Sequence, residues 1–374
     1  MLEPSESEAH KPALRLERLS LRGWRNLAPL DLELDARFHV LAGDNGQGKS
    51  NLLEAIDYLA TLRSFRGAST EDLIGRDVEQ AFLHGRFVTR PPARTARVQL
   101  SRGAARELRL DDKRPRSTAS WVASFQTVLF HPGDLQLASG SPETRRAFLD
   151  RILEEMDATY ASTLAAYMKA LRSRNRLLKR EGVDPRSIRA FDELLASAGA
   201  VIGQSRAALT SDLAPLAEQA FHEVAGVELP LRVGYRPRVE PSVAALRAAL
   251  GRSLEKDLAR GFTAEGPHAD DLALRVRGEH GARHHASQGQ HRLIVLALKT
   301  AELAVLARRV GHTPMLLLDD VSSELDRVKN RRFFELLRRM GGQVLLTTTA
   351  PELIALDADR LDYRVVAGCV ERTS

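Results

Sequence analysis

Apolar residues near the start of the chain alternate with polar ones in short runs that are typical of β-strands. A third run, Phe38–Ala42, has the composition of a buried strand and is followed at once by a glycine-rich turn. From residue 50 to 62 the apolar spacing becomes helical, and strand patterns return between residues 80 and 130. The apolar positions of the first two runs are Leu14, Leu16, Leu19 and Leu21, then Leu30, Leu32 and Leu34.

The middle of the chain, from about residue 143 to 250, has a mostly helical pattern. One long, basic, amphipathic helix is predicted over residues 145–180 and another over residues 188–225, followed by a strand near 231–235 and a further helix. The last third returns to alternating helices and strands, with strands at 315–318 and 344–348. This order predicts an α/β fold with one mostly parallel sheet core, completed by both chain ends, and a helical insertion.

The turn after the third strand matches the phosphate-binding P-loop pattern in full, and it lies between a strand and a helix as the mechanism requires. Its glycines let backbone N–H groups turn inward around phosphate oxygens, and the positive end of the following helix faces the same anion. Lys49 is expected to reach the β- and γ-phosphates, and the Ser50 hydroxyl to bind Mg²⁺. The nucleotide contacts predicted here are Gly43, Asn45, Gly46, Gln47, Gly48, Lys49, Ser50 and Asn51.

An apolar strand, Met315–Leu318, ends in two carboxylates, Asp319 and Asp320. A buried strand that delivers a carboxylate beside a P-loop is the second half of a Mg²⁺–nucleotide site. Asp319 is expected to hold the metal, directly or through water, and Asp320 to orient or deprotonate the attacking water. A strand that ends in a polar turn has the same pattern, but the P-loop in the same chain favours the catalytic interpretation.

Ser287 precedes a helix that is predicted over residues 288–309. Ser287 and Gln290 have the spacing of a capping box, so Ser287 is expected to cap this helix. A serine, Gly289 and free N–H groups at a helix N-terminus also suit a γ-phosphate. Because one nucleotide needs only one P-loop, this second helix end predicts contact with a partner's nucleotide, in a two-fold dimer with two ATP molecules between the chains.

Several short motifs follow one another in order along the chain. They are Trp24-Arg25-Asn26, Gly43 to Ser50, Ser64-Phe65-Arg66, Gly140-Ser141-Pro142 with Arg145 to Asp150, Arg174 to Leu178, Gly266-Pro267-His268, Ser287 to Gln290 and Leu318 to Asp326. Together these motifs resemble the RecF family of bacterial recombination-mediator ATPases, over nearly the whole chain beyond the first twelve residues. Ser-Gln-Gly-Gln at 287–290 is distinctive, because transport ATPases usually have Leu-Ser-Gly-Gly-Gln there.

The resemblance implies an ABC-type ATPase head related to those of SMC and Rad50 proteins, with ATP and Mg²⁺ as ligands. In the family's terms residues 287–290 are the signature motif, Asp319 and Asp320 the Walker B carboxylates, and residues 322–326 the D-loop. Arg25 and Asn26 match the segment that approaches the nucleotide. The implied organisation is a flexible tail over residues 1–12, an ATP-binding lobe I over residues 13–130 and 303–374, and a mostly helical lobe II over residues 131–302 with the signature motif.

The resemblance further implies a role in recombinational repair and replication-fork maintenance. Such a protein dimerises on ATP, binds DNA at duplex/single-strand boundaries, and cooperates with RecR and RecO to load recombinase at gaps. Asp320 stands where transport ATPases have glutamate, which suits slow, switch-like hydrolysis. Thr347-Thr348-Thr349 stands where they have a switch histidine, so a threonine hydroxyl is expected to replace it, and the Q-loop stays open between Gln126 and Gln136.

The spacing of the motifs limits the alternatives. An SMC or Rad50 protein would insert hundreds of heptad residues between P-loop and signature, whereas 237 positions separate Ser50 from Ser287 here and no sustained heptad pattern fills them. No long coiled coil is therefore predicted. A transporter-like subunit would have a shorter gap and the usual signature. A transporter-like subunit and a nucleotide switch without a DNA role stay as alternatives to an ATP-gated DNA clamp, in which hydrolysis only resets DNA binding.

The positive net charge of the chain favours a polyanionic partner. The chain has 55 Lys and Arg against 49 Asp and Glu, and a pI of about 9.6. No apolar run is long enough to cross a bilayer or to form a secretory signal, and the single Cys369 suits a reducing compartment, so a cytoplasmic location away from membranes is expected. The predicted DNA contacts are Arg63, Arg66, Arg172, Arg174, Arg176, Lys179 and Arg180.

Overall fold

The computed structural model describes residues 12–226, 230–276, 280–321, 325–356 and 358–373, so the predicted tail lies outside the described residues except for Pro12. The strands are β1 Arg15–Arg22, β2 Leu30–Glu33, β3 Phe38–Ala42, β4 Gln80–Val88, β5 Arg94–Ser101, β6 Glu107–Leu110, β7 Thr127–Phe130, β8 Leu231–Arg236, β9 Asp271–Val276, β10 His280–Gly281, β11 Met315–Leu318, β12 Val344–Thr348, β13 Arg360–Val366 and β14 Cys369–Arg372. The helices are α1 Lys49–Thr61, α2 Thr70–Leu73, α3 Thr118–Val122, α4 Gln136–Ser139, α5 Pro142–Met156, α6 Ala158–Leu178, α7 Pro185–Arg189, α8 Asp192–Ala225, α9 Val243–Arg260, α10 Ala282–His285, α11 Gln288–Val310 and α12 Arg327–Met340.

The single helix predicted over residues 145–180 is wrong, because α5 ends at Met156 and α6 begins at Ala158. Asp157 between them is extended, with φ of −149°, and its side chain accepts a hydrogen bond from the backbone N–H of Thr159. Aspartate is a strong N-cap because its carboxylate satisfies a free N–H at the start of a helix. The chain therefore starts a new helix at Ala158, although the helical spacing of apolar residues had predicted one continuous helix.

The chain forms two compact units, each described here by itself. The first contains the described residues up to 134, residues 223–226 and residues from 299, and the second contains residues 135–222 and 230–298. Both chain ends therefore build the first unit. Among the residues that the structure describes, no helix is both long and apolar enough to cross a membrane.

A mostly parallel sheet forms one layer of the first unit, with strand order β14-β13-β3-β12-β11-β7. Neighbours from β13 to β7 run parallel, and only β14 pairs antiparallel at the edge. All residues of β7, β11 and β12 are buried, as expected for parallel strands that are covered on both faces. Because the carboxyl ends of parallel strands meet at one edge, the segments that follow β3, β7, β11 and β12 meet there.

A second sheet of the first unit is antiparallel, with strand order β2-β1-β4-β5-β6. The sequence pattern predicted strands in this region but did not separate them from the parallel sheet. Buried and exposed residues alternate along almost all of β4, so this sheet has one face on the core and one face in solvent. Helix α1 contacts strands of both sheets and is apolar on several sides, with Leu52, Leu53, Ile56 and Leu59 all buried.

The second unit is mostly helical and carries a small antiparallel sheet of order β10-β9-β8. Buried ion pairs tie its helices together. Arg206 is 3% exposed, and its guanidinium donates to both carboxylate oxygens of Asp150 at 2.8 and 2.9 Å. Removing one partner of such a pair leaves an uncompensated buried charge, so these contacts restrict how the helices can pack.

Candidate nucleotide site

The glycine-rich turn at residues 43–50 lies at the carboxyl edge of the parallel sheet, between β3 and α1. Gly48 precedes the first helical turn with φ of 112°, and a Cβ there would lie 2.9 Å from the Leu27 side chain, so only glycine fits. Beside the turn lies a cavity of about 290 Å³, lined by Asn45, Gly46, Gly48, Lys49, Ser50, Asn51, Arg66, Pro132, Asp319, Asp320 and Thr347. The fold thus brings most of the predicted P-loop residues and both aspartates around one cavity, named the nucleotide cavity.

Lys49 lines this cavity and is only 6% exposed. Its Nζ donates to the carbonyl oxygens of Gly43 and Asp44, at 2.7 and 2.8 Å, so the main chain of the loop holds the ammonium group in place. Burial lowers the pKa of Lys49, and the carboxylates of Asp320 and Asp319 oppose that shift. An ammonium group in such a place gains strongly from an anionic partner, which is the condition that a phosphate satisfies.

Asp319 follows β11, is 5% exposed, and accepts two hydrogen bonds on one oxygen. Ser50 Oγ donates to its Oδ1 at 2.7 Å, and Thr347 Oγ1 donates to the same atom at 2.8 Å. Thr347 Oγ1 also accepts from the backbone N–H of Asp320 at 2.9 Å, and Asp320 has a φ of 54°, which is uncommon for a residue with a Cβ. Thr347, one of the three threonines expected to replace the switch histidine, therefore binds the carboxylate of Asp319 and the backbone of Asp320.

Replacing Thr347 with valine, which has the same shape, is expected to lower the turnover of ATP about tenfold. The change removes one hydrogen bond to a charged oxygen, each such bond contributing about 1.5–3 kcal/mol, and leaves Asp320 N–H without its acceptor. Steady-state ATPase assays measure the effect. Thr210→Val is the matched control, because the buried Thr210 hydroxyl donates to the Arg206 carbonyl within the second unit. Equal activity of the two variants would contradict this role for Thr347.

Oxygen atoms that suit Mg²⁺ converge at Ser50 and Asp319, whose Oγ and Oδ1 lie 2.7 Å apart. Mg²⁺ binds oxygen ligands and often takes one or two from the protein and the rest from phosphates and water. In the described ranges, no group of three or more His, Cys, Asp or Glu side chains could hold a metal ion. As two oxygen ligands 2.7 Å apart, the Ser50 hydroxyl and the Asp319 carboxylate fit a magnesium ion that takes its other ligands from a nucleotide and water.

Glu54 on α1 is a fully buried carboxylate that the sequence analysis missed. Arg25 Nε and Nη2 donate to its two oxygens at 2.8 and 2.9 Å, and Ser64 Oγ donates at 2.5 Å. Arg66 Nη1 lies 3.8 Å from the same carboxylate and donates to Asn51 Oδ1 at 2.6 Å. Glu54 thereby orients two arginines, of which Arg66 lines the nucleotide cavity. A charged residue among the apolar positions of α1 was the available signal.

The remaining predicted nucleotide contacts of the first unit line two further clefts. Arg25 and Asn26 line a cleft of about 1030 Å³, which shares Asn51 and Arg66 with the nucleotide cavity. Gly43 and Gln47 line another of about 950 Å³. Arg66, which was predicted to contact DNA, is exposed and also lines the nucleotide cavity.

Of the two candidates for the Q-loop, Gln126 in the first unit does not line the nucleotide cavity. Gln126 precedes β7, is buried, and binds the Ala123 carbonyl and His312 Nε2 at 2.8 and 2.9 Å, so it lies at the opposite end of the strand from the site. Gln136 belongs to the second unit. The residue that follows β7 and lines the cavity is Pro132. Of the predicted D-loop, residues 322–324 lie outside the described residues.

The signature segment of the second unit forms the predicted capping box. The backbone N–H of Ser287 donates to Gln290 Oε1 at 2.8 Å, and the backbone N–H of Gln290 donates to Ser287 Oγ at 3.3 Å. Ser287, Gln288 and Gly289 are exposed, and a Cβ at Gly289 would meet no atom within 4 Å. The helix therefore presents its N-terminus to an open surface.

One predicted DNA contact is contradicted by its burial. Arg174 is fully buried and donates to Asp192 at 3.1 Å, to Asp257 at 2.8 Å and to Thr263 at 2.7 Å, so it holds the helices of the second unit together. A basic run along a helix does not show which arginine turns inward. The other predicted DNA contacts outside the nucleotide cavity are exposed: Arg63, Arg172, Arg176, Lys179 and Arg180.

Comparison with known proteins places this geometry in a family. Residues 15–366 match the family model of the RecF/RecN/SMC N-terminal domain. The chain is 39% identical to the DNA replication and repair protein RecF of Myxococcus xanthus, over 91% of this chain and 92% of that protein. It is 40% identical to the protein of the same name from Anaeromyxobacter sp. strain Fw109-5 and 35% identical to that of Geobacter sulfurreducens, in both cases over 96% of this chain and 99% of the relative.

Solved structures agree with these relatives. A structure of the recombination mediator protein RecF with ATP, from the RecFOR pathway, superposes with a TM-score of 0.86 at 30% identity, covering 98% of this chain and 99% of that one. The Smc head domain of Pyrococcus furiosus shares only the fold, with a TM-score of 0.58 at 14% identity over 96% of both chains. With its P-loop, paired aspartates and signature segment in one α/β head, this chain belongs to the RecF family of DNA replication and repair ATPases.

Proposed function

We propose that this repair ATPase is an ATP-gated DNA clamp, in which two copies close on two ATP molecules at duplex/single-strand gap boundaries and help to load recombinase. One observation carries the proposal. The first unit places the buried Lys49 beside the Ser50–Asp319 pair, groups that fit a phosphate and a metal ion, and the second unit has an exposed helix N-terminus at Ser287. A partner's nucleotide would give that helix end its ligand, because each ATP then contacts two chains and favours the closed pair.

In this proposal, each residue of the nucleotide site in the first unit has its own role in ATP binding or hydrolysis. Lys49 binds the β- and γ-phosphates, Ser50 and Asp319 hold Mg²⁺, and Asp320 orients the attacking water. When bound, the metal ion neutralises the charge that develops on the phosphates. Asp320 is one methylene shorter than the glutamate of transport ATPases, and this suits slow hydrolysis that resets the clamp. From the partner chain, the Ser287 hydroxyl, Gly289 N–H and Gln290 complete the site.

The organisation and partners belong to the same proposal. The first unit acts as the ATP-binding lobe and the second as the signature lobe, with the division predicted near residues 130 and 302. DNA binds through exposed basic residues, RecR and RecO are the protein partners, and the clamp works in the cytoplasm. The support for these partners is that a relative solved with ATP is described as a recombination mediator of the RecFOR pathway.

ATPase assays on the wild-type protein, without DNA, with duplex DNA and with gapped duplex DNA, test the DNA role. A clamp for gap boundaries is expected to hydrolyse ATP slowly alone and severalfold faster with DNA, most with the gapped substrate, because DNA binding and closure favour each other. Raising the salt concentration should reduce the stimulation, since phosphate contacts release counterions. Equal rates in all three reactions would instead support a nucleotide switch without a DNA role.

A further inference from the structure

The last two strands of the first unit are joined by a two-residue turn. Val366 of β13 pairs with Cys369 of β14, and between them Ala367 and Gly368 have φ of 47° and 82°. Positive φ at both central residues is the mark of a type I′ hairpin turn. Because β13 runs parallel to β3, which leads into the P-loop, the turn emerges at the same sheet edge as the P-loop.

This turn binds one residue of the P-loop twice. The backbone N–H of Gly368 donates to the Gln47 carbonyl at 2.9 Å, and the backbone N–H of Ala367 donates to Gln47 Oε1 at 2.6 Å. The side chain of Gln47, predicted from the sequence to contact the nucleotide, therefore uses its oxygen to bind the chain's own C-terminal hairpin.

The same turn also contacts the segment that contains Asn26. The carbonyl of Gly368 accepts from the backbone N–H of Ala28 at 3.0 Å, and a Cβ at Gly368 would lie 2.1 Å from the carbonyl oxygen of Asn26. Asn26 Oδ1 in turn accepts a hydrogen bond from Asn51 Nδ2 on α1 at 2.6 Å. The turn is thus in direct contact with the P-loop at Gln47 and with the segment at Asn26, and each of these residues lines one of the two further clefts.

We propose that the Ala367–Gly368 turn is a positioning element of the ATP site, which holds the P-loop at Gln47 and the neighbouring segment at Asn26 without touching the nucleotide. A phosphate-binding loop binds tightly when its N–H groups already point inward, because the loop then loses little freedom on binding. The C-terminal hairpin supplies that restraint from the far end of the sequence. This inference rests on ATP binding at the P-loop, which the proposed function also uses.

Gly368→Ala tests the proposal. Alanine at position 368 must adopt a positive φ and would overlap the Asn26 carbonyl, so the turn or the Asn26 segment has to shift. The matched control is Gly103→Ala, because Gly103 has a φ of 67° but a Cβ there would meet no atom within 4 Å. Titration with a fluorescent ATP analogue is expected to show affinity reduced at least about tenfold for Gly368→Ala and unchanged within about twofold for Gly103→Ala.

Unfolding midpoints, measured on both variants, separate a structural effect from a positioning effect. Both glycines have positive φ, so both variants are expected to lose some stability, whereas only the variant at 368 should lose ATP affinity. Equal ATP affinity of a folded Gly368→Ala protein and the control overturns the proposal. If the wild-type protein itself fails to bind the analogue, the proposed function fails at its first step, and that result is distinct from the first.

A second measurement works even where Gly368→Ala does not fold. Cys369 is the only cysteine of the chain, is exposed and directly follows Gly368, so the rate of its reaction with a maleimide reports on the turn. The measurement uses the Ser287→Arg background, in which the proposed ATP dimer cannot cover the thiol. Saturating ATP is expected to slow the reaction at least about threefold, because an ordered P-loop holds the turn through Gln47. A rate that ATP leaves unchanged overturns the proposal.

Discussion

Replacing Lys49 with methionine is expected to weaken ATP binding by about 100-fold or more and to abolish hydrolysis. Two charge-assisted hydrogen bonds to phosphate, each contributing about 1.5–3 kcal/mol, correspond to a loss of that size. Methionine has a similar length and no charge, so it fills the same buried space while the carbonyl oxygens of Gly43 and Asp44 lose their donor. Isothermal titration with ATP and Mg²⁺ measures the affinity directly.

Lys113→Met is the matched control for this substitution, because Lys113 is an exposed lysine in the turn after β6. It removes the same charge from the chain and should leave ATP affinity unchanged within the error of the titration. Unfolding midpoints should show that both variants are folded. ATP affinity of Lys49→Met within about threefold of the control would show that the P-loop lysine does not bind the phosphates.

Replacing Ser287 with arginine is expected to keep the chain monomeric at ATP concentrations that dimerise the wild type. Ser287 lies on an open surface, so the larger side chain can be accommodated within its own chain but would occupy the place of the partner's γ-phosphate. Hydrolysis should fall by about 100-fold, as when a donor to a developing charge is removed. ATP binding to the monomer should persist, because Lys49, Ser50 and Asp319 belong to the first unit.

Ser242→Arg is the control that separates this effect from the loss of a helix cap. Ser242 Oγ accepts from the backbone N–H of Ala245 at 3.2 Å at the start of α9, much as Ser287 Oγ accepts from Gln290 at 3.3 Å. Each variant loses a cap that contributes about 1 kcal/mol. In sedimentation velocity with ATP, the Ser242 variant should dimerise like the wild type. An ATP-dependent dimer of the Ser287 variant would contradict the two-chain site.

The chemistry of the nucleotide site could be predicted because it lies in short continuous motifs. The P-loop needs glycines at fixed spacing before Lys49 and Ser50, and Asp319 follows an apolar strand, so both were visible without a fold. The capping box at Ser287 is equally local, and its two hydrogen bonds are present. Strand and helix patterns likewise placed the α/β order of elements, apart from two breaks in predicted helices: one at Asp157, and one within the helix predicted over residues 188–225, where α7 ends at Arg189 and α8 begins at Asp192.

Contacts between distant parts of the sequence could not be predicted in the same way. Thr347 lies next to Asp319 only because β12 pairs with β11. The role of Glu54 becomes visible only in the folded chain, where the side chains of Arg25 and Arg66 both lie beside its carboxylate. The inward-facing Arg174 was indistinguishable from its exposed neighbours, since a charge on a helix gives no sign of a buried partner that lies 83 residues away.

The sequence by itself determined the class of ATPase and predicted which residues would bind phosphate and metal. Those properties depend on local geometry, which a few adjacent residues specify through glycine conformations and the period of apolar positions. The tertiary structure alone decided which groups contact those residues from elsewhere in the fold: Thr347 at Asp319 and at the backbone of Asp320, Glu54 at the arginines, and the Ala367–Gly368 turn at the P-loop. The reason is physical, because positioning requires hydrogen bonds across the fold, and only chain packing brings such partners together.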